Sequence, residues 1–291
     1  MKSPLFNYYC ALSVEDAIQH LIDFEGSLIL AGGQSLVPAM NFKLASPDML
    51  IDIGRIDGLD QITVTASEIV VGANVRHRDV ELSDEVFAVQ PLLRQAIQNV
   101  AHVPIRHLGT SVGSICHADA AAETPMLLVL TGGYVTAVGP NGSRKIMAED
   151  FFKFHMTTDR AADEMVVSAH FPILPTGAGC YFREFARRKG DYALAGVGAV
   201  ISLKDNGKVS NIRMAACGIA STPVRLKEVE EFLMDQVLDE VVVEKAAVIA
   251  AQYVTAPDDG TTSKAYRKHL LSGLTKDVIF KAVGVRDEVA A

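Results

Sequence analysis

Two glycine-containing turns carry the residues best suited to chemistry. The first is Ala31-Gly32-Gly33-Gln34-Ser35-Leu36. Glycine lets backbone N–H groups turn toward a ligand with no Cβ in the way. Successive N–H groups in such a turn form an anion-binding concavity, and the start of a following helix adds partial positive charge. Gln34 and Ser35 offer further donors. A plain tight turn before a helix accounts for the same residues equally well, and the G-x-G-x-x-G spacing of a dinucleotide-binding unit is absent. The second turn is Gly109-Thr110-Ser111-Val112-Gly113-Ser114, flanked by Arg106, His107 and His117. Its hydroxyls and glycines suit a pyrophosphate without any excess of lysine. A polar surface loop is the competing reading. The two turns lie about 75 residues apart and are alike in chemistry, so they could clasp opposite sides of one dinucleotide.

Other reactive constellations are weaker. His102, His107 and His117 stand five and ten residues apart, which matches neither H-E-x-x-H nor a zinc finger, and no metal site is expected. Cys116 adjoins His117, but neighbours in sequence rarely face each other, and a buried thiol is the commoner case. No G-x-S-x-G elbow is present. Cys10, Cys116, Cys180 and Cys217 are scattered, with no C-x-x-C pair, so an iron–sulfur cluster held by this chain is not expected. Four such cysteines also fall short of a disulfide framework and fit a reducing compartment.

With 27 basic and 35 acidic residues the formal charge is -8, which argues against nucleic acid as a partner. At 49% hydrophobic and 21% charged, the composition is that of an ordinary globular protein. The mixed residues 1–10 do not read as a signal peptide, and the apolar runs near 126–138 and 193–203 are broken by glycine. The expectation is a cytoplasmic protein with no integral membrane association.

The elements that would position these turns can be read locally. Ser13 caps a helix carrying Val14, Ala17, Ile18, Leu21 and Ile22 on one face, with Glu15 and Asp16 at its positive end and Gly26 as its stop. Strands are expected at Ser27–Ala31 and Met49–Ile53, with a short helix after Ser35 between them. Residues 62–71 read as a hairpin. A helix is expected at 91–101, residues 102–124 show no clean period, and Thr124 reads as the cap of a helix that Pro125 begins. Hairpins are expected around Pro140-Asn141-Gly142-Ser143 and Asp205-Asn206-Gly207. Helices close the chain near 225–234, 238–253 and 264–282. The Pro/Gly cluster at 172–179 marks a boundary, giving domains 1–175 (subdomains about 1–56 and 57–175) and 176–291. The fold class is α+β.

At this level of detail the chain resembles the FAD-binding medium subunit of the molybdenum hydroxylases, the group of xanthine dehydrogenase and aerobic carbon monoxide dehydrogenase. Residues 30–38 (LAGGQSLVP) resemble the family's first FAD loop, and residues 109–125 (GTSVGSICHADAAAETP) its second. Residues 185–193 (FARRKGDYA) and 263–271 (SKAYRKHLL) resemble the opening segment and closing helix of its C-terminal domain. The resemblance implies a two-part FAD-binding domain of the vanillyl-alcohol-oxidase-like (PCMH) type, then a smaller α+β domain of the carbon monoxide dehydrogenase flavoprotein type. It implies an oxidoreductase whose FAD takes electrons from two [2Fe–2S] clusters of a small subunit and passes them to an acceptor. A large subunit would hold the molybdenum–pterin cofactor and choose the substrate, in a dimer of heterotrimers. No catalytic residue beyond the flavin is implied in this chain. A self-contained FAD-dependent oxidoreductase and a non-catalytic nucleotide-binding module are the alternative readings.

The family likeness also assigns residues. Ala31, Gly32, Gly33, Gln34, Ser35 and Leu36 face the FAD diphosphate and ribityl region. His102, Thr110, Ser111, Gly113, Ser114 and His117 form the opposite clasp. Glu123 bonds a ribose or ribityl hydroxyl, or alternatively stabilises a helix start. Tyr192 stacks on or gates the isoalloxazine, or is a core aromatic. Lys189 or Arg188 stabilises reduced flavin, or is a solvated charge. Asp119 holds His117 or makes a local turn bond. Val112 replaces a glycine of the family's T-I-G-G pattern, and a left-handed backbone there would strain a β-branched residue. The loop then either takes a variant path or approaches the pyrophosphate less closely.

Overall fold

The computed structural model describes residues 2–256 and 258–284. The chain opens with β1 (Asn7–Cys10), α1 (Val14–Asp23), β2 (Ser27–Leu30), α2 (Leu36–Asn41) and β3 (Met49–Asp52). Ser13 caps α1 as expected, its hydroxyl oxygen accepting the Asp16 N–H at 3.1 Å. Both β1 and β2 pair with β3 in parallel, giving the order β1-β3-β2. β1 is an addition to the expected elements. Four residues with two exposed carry too little alternation to announce a strand.

Then follow β4 (Ile62–Val64), β5 (Glu68–Gly72), α3 (His77–Leu82), α4 (Asp84–Val89), α5 (Pro91–Ile97), α6 (Val103–Leu108), α7 (Ser111–His117) and α8 (Glu123–Thr131). Next come β6 (Tyr134–Gly139), β7 (Gly142–Met147), α9 (Ala148–Phe151), β8 (Phe152–Phe154), β9 (Thr157–Thr158) and β10 (Met165–Pro172). Strands 4, 5, 10, 6 and 7 form one antiparallel sheet in that order. Ile69 and Val71, Val135 and Ala137, and Ala169 and Phe171 are buried at alternate positions, which is the two-residue period of a half-covered sheet.

Two expectations shift here. The aperiodic stretch 102–124 contains two helices, each too short to display a helical period. Thr124 is not a cap: it is fully buried inside α8, which begins at Glu123. The helix entry is set by Asp119, whose carboxylate accepts the Ala121 N–H at 2.8 Å.

The rest comprises β11 (Gly179–Phe185), β12 (Ala195–Leu203), β13 (Val209–Cys217), β14 (Val224–Arg225), α10 (Lys227–Leu233), α11 (Glu240–Ala251) and α12 (Lys264–Ala282). These strands form a second antiparallel sheet in chain order. Val197, Ala199, Ile201 and Met214 share its core with Val243, Ala246, Leu271 and Val278 from α11 and α12.

Contacts divide the chain into two compact units. The first is Met1–Ser83, His102–Ala118 and Gly132–Pro172; the second is Asp84–Ala101, Asp119–Thr131 and Ile173–Ala291. Residues 84–101 and 119–131 thus lie early in the chain but pack with its C-terminal part. α8 shows why: Thr124 through Leu130 are buried on every side, so the helix is core.

In the second unit Arg267 fixes the start of β12. Its guanidinium donates to the carbonyls of Leu194 and Gly218 at 2.7 and 2.6 Å, and to Asp259 at 2.7 Å. The threonines at 261 and 262, and Arg267, hold the Asp259 carboxyl well below the usual range. Arg267→Ala is expected to lower the unfolding free energy by about 2–3 kcal/mol in urea titration. Arg267→Lys should recover little of this, because an ammonium cannot reproduce the fork.

Candidate functional site

The first glycine turn leaves β2 at Leu30 and enters α2 at Leu36. Gly33 has φ +69°, a left-handed conformation that glycine adopts freely. A Cβ on Gly32 would lie 2.4 Å from the Leu108 carbonyl oxygen and 2.8 Å from the Thr110 nitrogen. The two turns are therefore in direct contact, and Gly32 is glycine because the second turn passes against it. The Val37 N–H closes the turn on the Gly33 carbonyl at 3.0 Å, and the Gln34 amide donates to the Gly32 carbonyl at 3.2 Å. The N–H groups of Gly33, Gln34, Ser35 and Leu36 find no acceptor among the described residues. Ser35 precedes α2 without spending its hydroxyl as a cap.

The second turn is held from behind by residues 75–77. Ser111 N–H donates to the Val75 carbonyl at 3.1 Å, Arg76 and Thr110 form a β-bridge, and His77 N–H donates to the Gly109 carbonyl at 3.0 Å. The Arg76 guanidinium donates to the Leu108 carbonyl. Ser111 points inward, its hydroxyl 3.2 Å from His77 Nδ1, and both side chains are buried. Burial, and then the Arg106 guanidinium, push the His77 imidazole down to about 4, so it is neutral at physiological pH. Thr110 caps α7 by accepting the Gly113 N–H at 3.0 Å.

Val112 sits in the first turn of α7, is buried, and is absent from the residues with positive φ. The anticipated strain does not arise, because the backbone there is right-handed helix. Beneath the turn, Glu81 of α3 and Arg106 of α6 form a buried two-point ion pair at 2.9 and 3.2 Å, with Arg78 3.0 Å from the same carboxylate. Burial pushes the Glu81 carboxyl up, but the bonds from Arg106 and Arg78 outweigh it, and the carboxyl lies below its usual range.

Residues Ala31–Leu36, Thr110, Ser111, Gly113, Ser114 and His117 all belong to the first unit. Thr110 and Ser111 use their hydroxyls on the protein itself, whereas Ser114 and His117 are half-buried in the next turns of α7. His102 is the exposed residue preceding α6. Glu123, Lys189 and Tyr192 belong to the second unit. There Glu123 is buried, Lys189 is exposed, and Tyr192 is 61% exposed, which removes the core-aromatic alternative. Asp119 makes the local turn bond already described. Among the described residues no cluster of His, Cys, Asp or Glu could hold a metal ion, and no helix is long and apolar enough to cross a membrane. Sequence reasoning missed Arg76, His77 and Glu81, because a supporting segment with no period and no glycine signature has nothing local to announce it.

Residues 4–174 match the family model described as the FAD binding domain in molybdopterin dehydrogenase. The chain belongs to this family. It is the flavoprotein component of an oxidoreductase, and its cofactor is FAD. Residues 180–282 match the CO dehydrogenase flavoprotein C-terminal domain. The 6-hydroxypseudooxynicotine dehydrogenase complex subunit alpha of Paenarthrobacter nicotinovorans is 37% identical, over 97% of this chain and 96% of that one. The carbon monoxide dehydrogenase medium chain of Hydrogenophaga pseudoflava is 32% identical over 94% and 95%. Among solved structures, quinoline 2-oxidoreductase from Pseudomonas putida 86 superposes with a TM-score of 0.93 at 35% identity, covering 98% of this chain and 99% of that one. The residues present suit the cofactor. Four consecutive N–H groups without an internal acceptor are the donor set a diphosphate needs.

Two outcomes follow for the support beneath the second turn. Glu81→Ala leaves Arg106 buried without its carboxylate and should cost about 3–5 kcal/mol in denaturant unfolding. His77 binds a proton in the unfolded chain near its ordinary value of 6.5 but in the folded chain only near 4. Its contribution is therefore complete above the ordinary value and is lost as pH falls through this window, amounting to about 3 kcal/mol. Unfolding free energy measured against pH should show this slope, and His77→Asn should flatten it.

Proposed function

We propose that this chain carries electrons within a heteromeric molybdenum hydroxylase. It receives them from the [2Fe–2S] clusters of a small subunit and delivers them to an acceptor. A large subunit holds the molybdenum–pterin cofactor, the whole being a dimer of heterotrimers in the cytoplasm. Supporting this reading, the family match spans nearly the full chain, and its relatives carry names that place them as one subunit or chain of a dehydrogenase. The scattered cysteines agree with it, since clusters would have to come from a partner. When bound, FAD supplies a carrier able to exchange electrons in pairs or singly.

The chain's own residues bind and orient that carrier. The N–H groups of Gly33, Gln34, Ser35 and Leu36 hold the diphosphate, with the Ser35 hydroxyl and Gln34 amide beside them and Ala31 and Gly32 shaping the approach. Gly113, Ser114 and His117 form the facing side. Thr110 and Ser111 act as its braces, and His102 is assigned to the same clasp. Neutral dipoles do this work, so the net charge of -8 is no obstacle. For Glu123 bonding a cofactor hydroxyl, Tyr192 beside the isoalloxazine and Lys189 or Arg188 near its N1–C2 edge, the support is the family resemblance. The single observation that carries the proposal is the acceptor-free first turn packed on the second through Gly32.

Gly32→Val should drive the turns apart, and Gly33→Val should strain the left-handed backbone. Each variant is expected to lose at least about tenfold in FAD affinity, the scale of one or two lost hydrogen bonds. Flavin absorbance per chain after purification is the readout, with circular dichroism confirming the fold. Full flavin retention in both variants would falsify the assignment. Tagged chain recovered from its native host should bring two further subunits with iron and molybdenum. A lone yellow protein that turns over unaided would contradict the proposed assembly.

A further inference from the structure

Helix α6 is amphipathic the wrong way round. Its buried residue is Arg106, paired with Glu81, while Val103, Ile105 and Leu108 are exposed. A surface helix normally turns its apolar side to the core and its charge to water. Here one ion pair anchors the helix and the apolar side chains face out. Three more stand at the other turn. Val37 is exposed in the first turn of α2, and Phe42 and Leu44 follow that helix, 63% and 82% exposed.

Backbone holds both sets in place. Lys43 is left-handed at φ +59°, and the Leu44 N–H reaches back to the Ala39 carbonyl at 2.8 Å. Phe42 and Leu44 thus sit on a hydrogen-bonded helix end and not on a loose loop. A Cβ on Gly33 would lie 3.3 Å from Val37 Cγ2, and one on Gly32 would meet the Leu108 carbonyl. Val37 and Leu108 therefore flank the same contact between the turns. All six residues belong to the first unit. Single exposed apolar side chains are ordinary, but a group of them bordering one site marks an interaction surface.

Charge narrows the partner. The chain carries -8, yet residues 36–47 and 102–118 contain no Asp or Glu. Lys43, His102 and His107 are exposed there, and the Arg76 guanidinium lies at the Leu108 carbonyl. On α3, Asp79 accepts the Arg76 N–H at 3.1 Å, and Glu81 is taken up by Arg106 and Arg78. Such a face suits a partner with an apolar centre and an acidic rim. A [2Fe–2S] cluster held by four thiolates brings negative charge of its own. Distance points the same way. Electron transfer falls steeply with separation, so a donor to the flavin must dock against the residues that border it.

We propose that the apolar residues flanking the paired turns, Phe42 and Leu44 beyond α2 and Val103, Ile105 and Leu108 on α6, dock the iron–sulfur subunit. This rests on the reading that FAD lies at the two turns and takes its electrons from that subunit. The inverted α6 is then the stable outcome, because its apolar side is covered in the complex.

The test uses the complex purified from its native host, with photo-reactive benzoylphenylalanine in place of Leu44 or of Ile105. Illumination should join this chain to the iron–sulfur subunit, identified by mass spectrometry. Crosslinks to that subunit from neither position would overturn the docking surface, whether they go to the molybdenum subunit, to a second copy or to nothing. Charge placed in the face reads the same contact. Phe42→Asp combined with Ile105→Asp should weaken association with the iron–sulfur subunit at least about thirtyfold, the scale of an interface hot spot. Iron retained per chain on dilution should fall, while flavin absorbance per chain and circular dichroism stay at wild-type values. Wild-type iron retention in the folded double variant overturns the proposal, and if that variant does not fold the crosslinks decide alone. Failure of the underlying reading looks different. A wild-type complex without an iron–sulfur subunit removes the electron-transfer assembly and the docking surface together. A subunit that is present but crosslinks from neither position removes the docking surface alone.

Discussion

The contact between Gly32 and the Leu108–Thr110 backbone is the constraint on which the proposed flavin site depends. Two stretches far apart in sequence meet there with no side chain between them, and any Cβ at residue 32 would push them apart. Each turn is otherwise unremarkable. The first leaves the N–H groups of residues 33–36 without acceptors among the described residues, a costly arrangement for buried backbone unless water or a ligand supplies the missing bonds. The second spends the Thr110 and Ser111 hydroxyls internally, on Gly113 and His77, and so is braced where the first is unsatisfied. A stiff wall beside an open set of donors suits a ligand with a fixed diphosphate geometry.

Rigidity in the second turn is built in layers. Residues 75–77 lie behind it as a strand-like brace, and the Glu81–Arg106 pair ties the helices on either side. A buried ion pair contributes less to net stability than its Coulomb energy suggests, because both charges lose their water. Its value here is geometric: with two bonds between planar groups, α6 can sit in only one register on α3. The neutral His77 is part of the same logic. A charged imidazole beside Arg106 would loosen the brace, and burial prevents it at physiological pH.

Much of this is legible in the sequence. The Ser13 cap, the hairpins and the helix from Lys264 to Ala282 carry strong local signals, and both glycine turns stand out by composition. What was hidden is what depends on long-range contact. β1 and β11 lack clean alternation because each is only partly covered. Thr124 looked like a cap because Pro125 follows it, yet Asp119 starts the helix earlier. Val112 looked strained only while its backbone was assumed left-handed. His77 has no signature at all. It matters through Ser111, a partner 34 residues away, and pairing at that distance leaves no trace in local pattern.

The central claim is that the first turn's free N–H groups hold the FAD diphosphate. Amide hydrogen exchange on the complex, with and without FAD, tests it most directly. Strong new protection is expected across residues 33–36 on FAD binding, with little change at residues 75–77, whose N–H groups are already bonded. Protection that appears elsewhere in the chain and leaves residues 33–36 exchanging freely would contradict it.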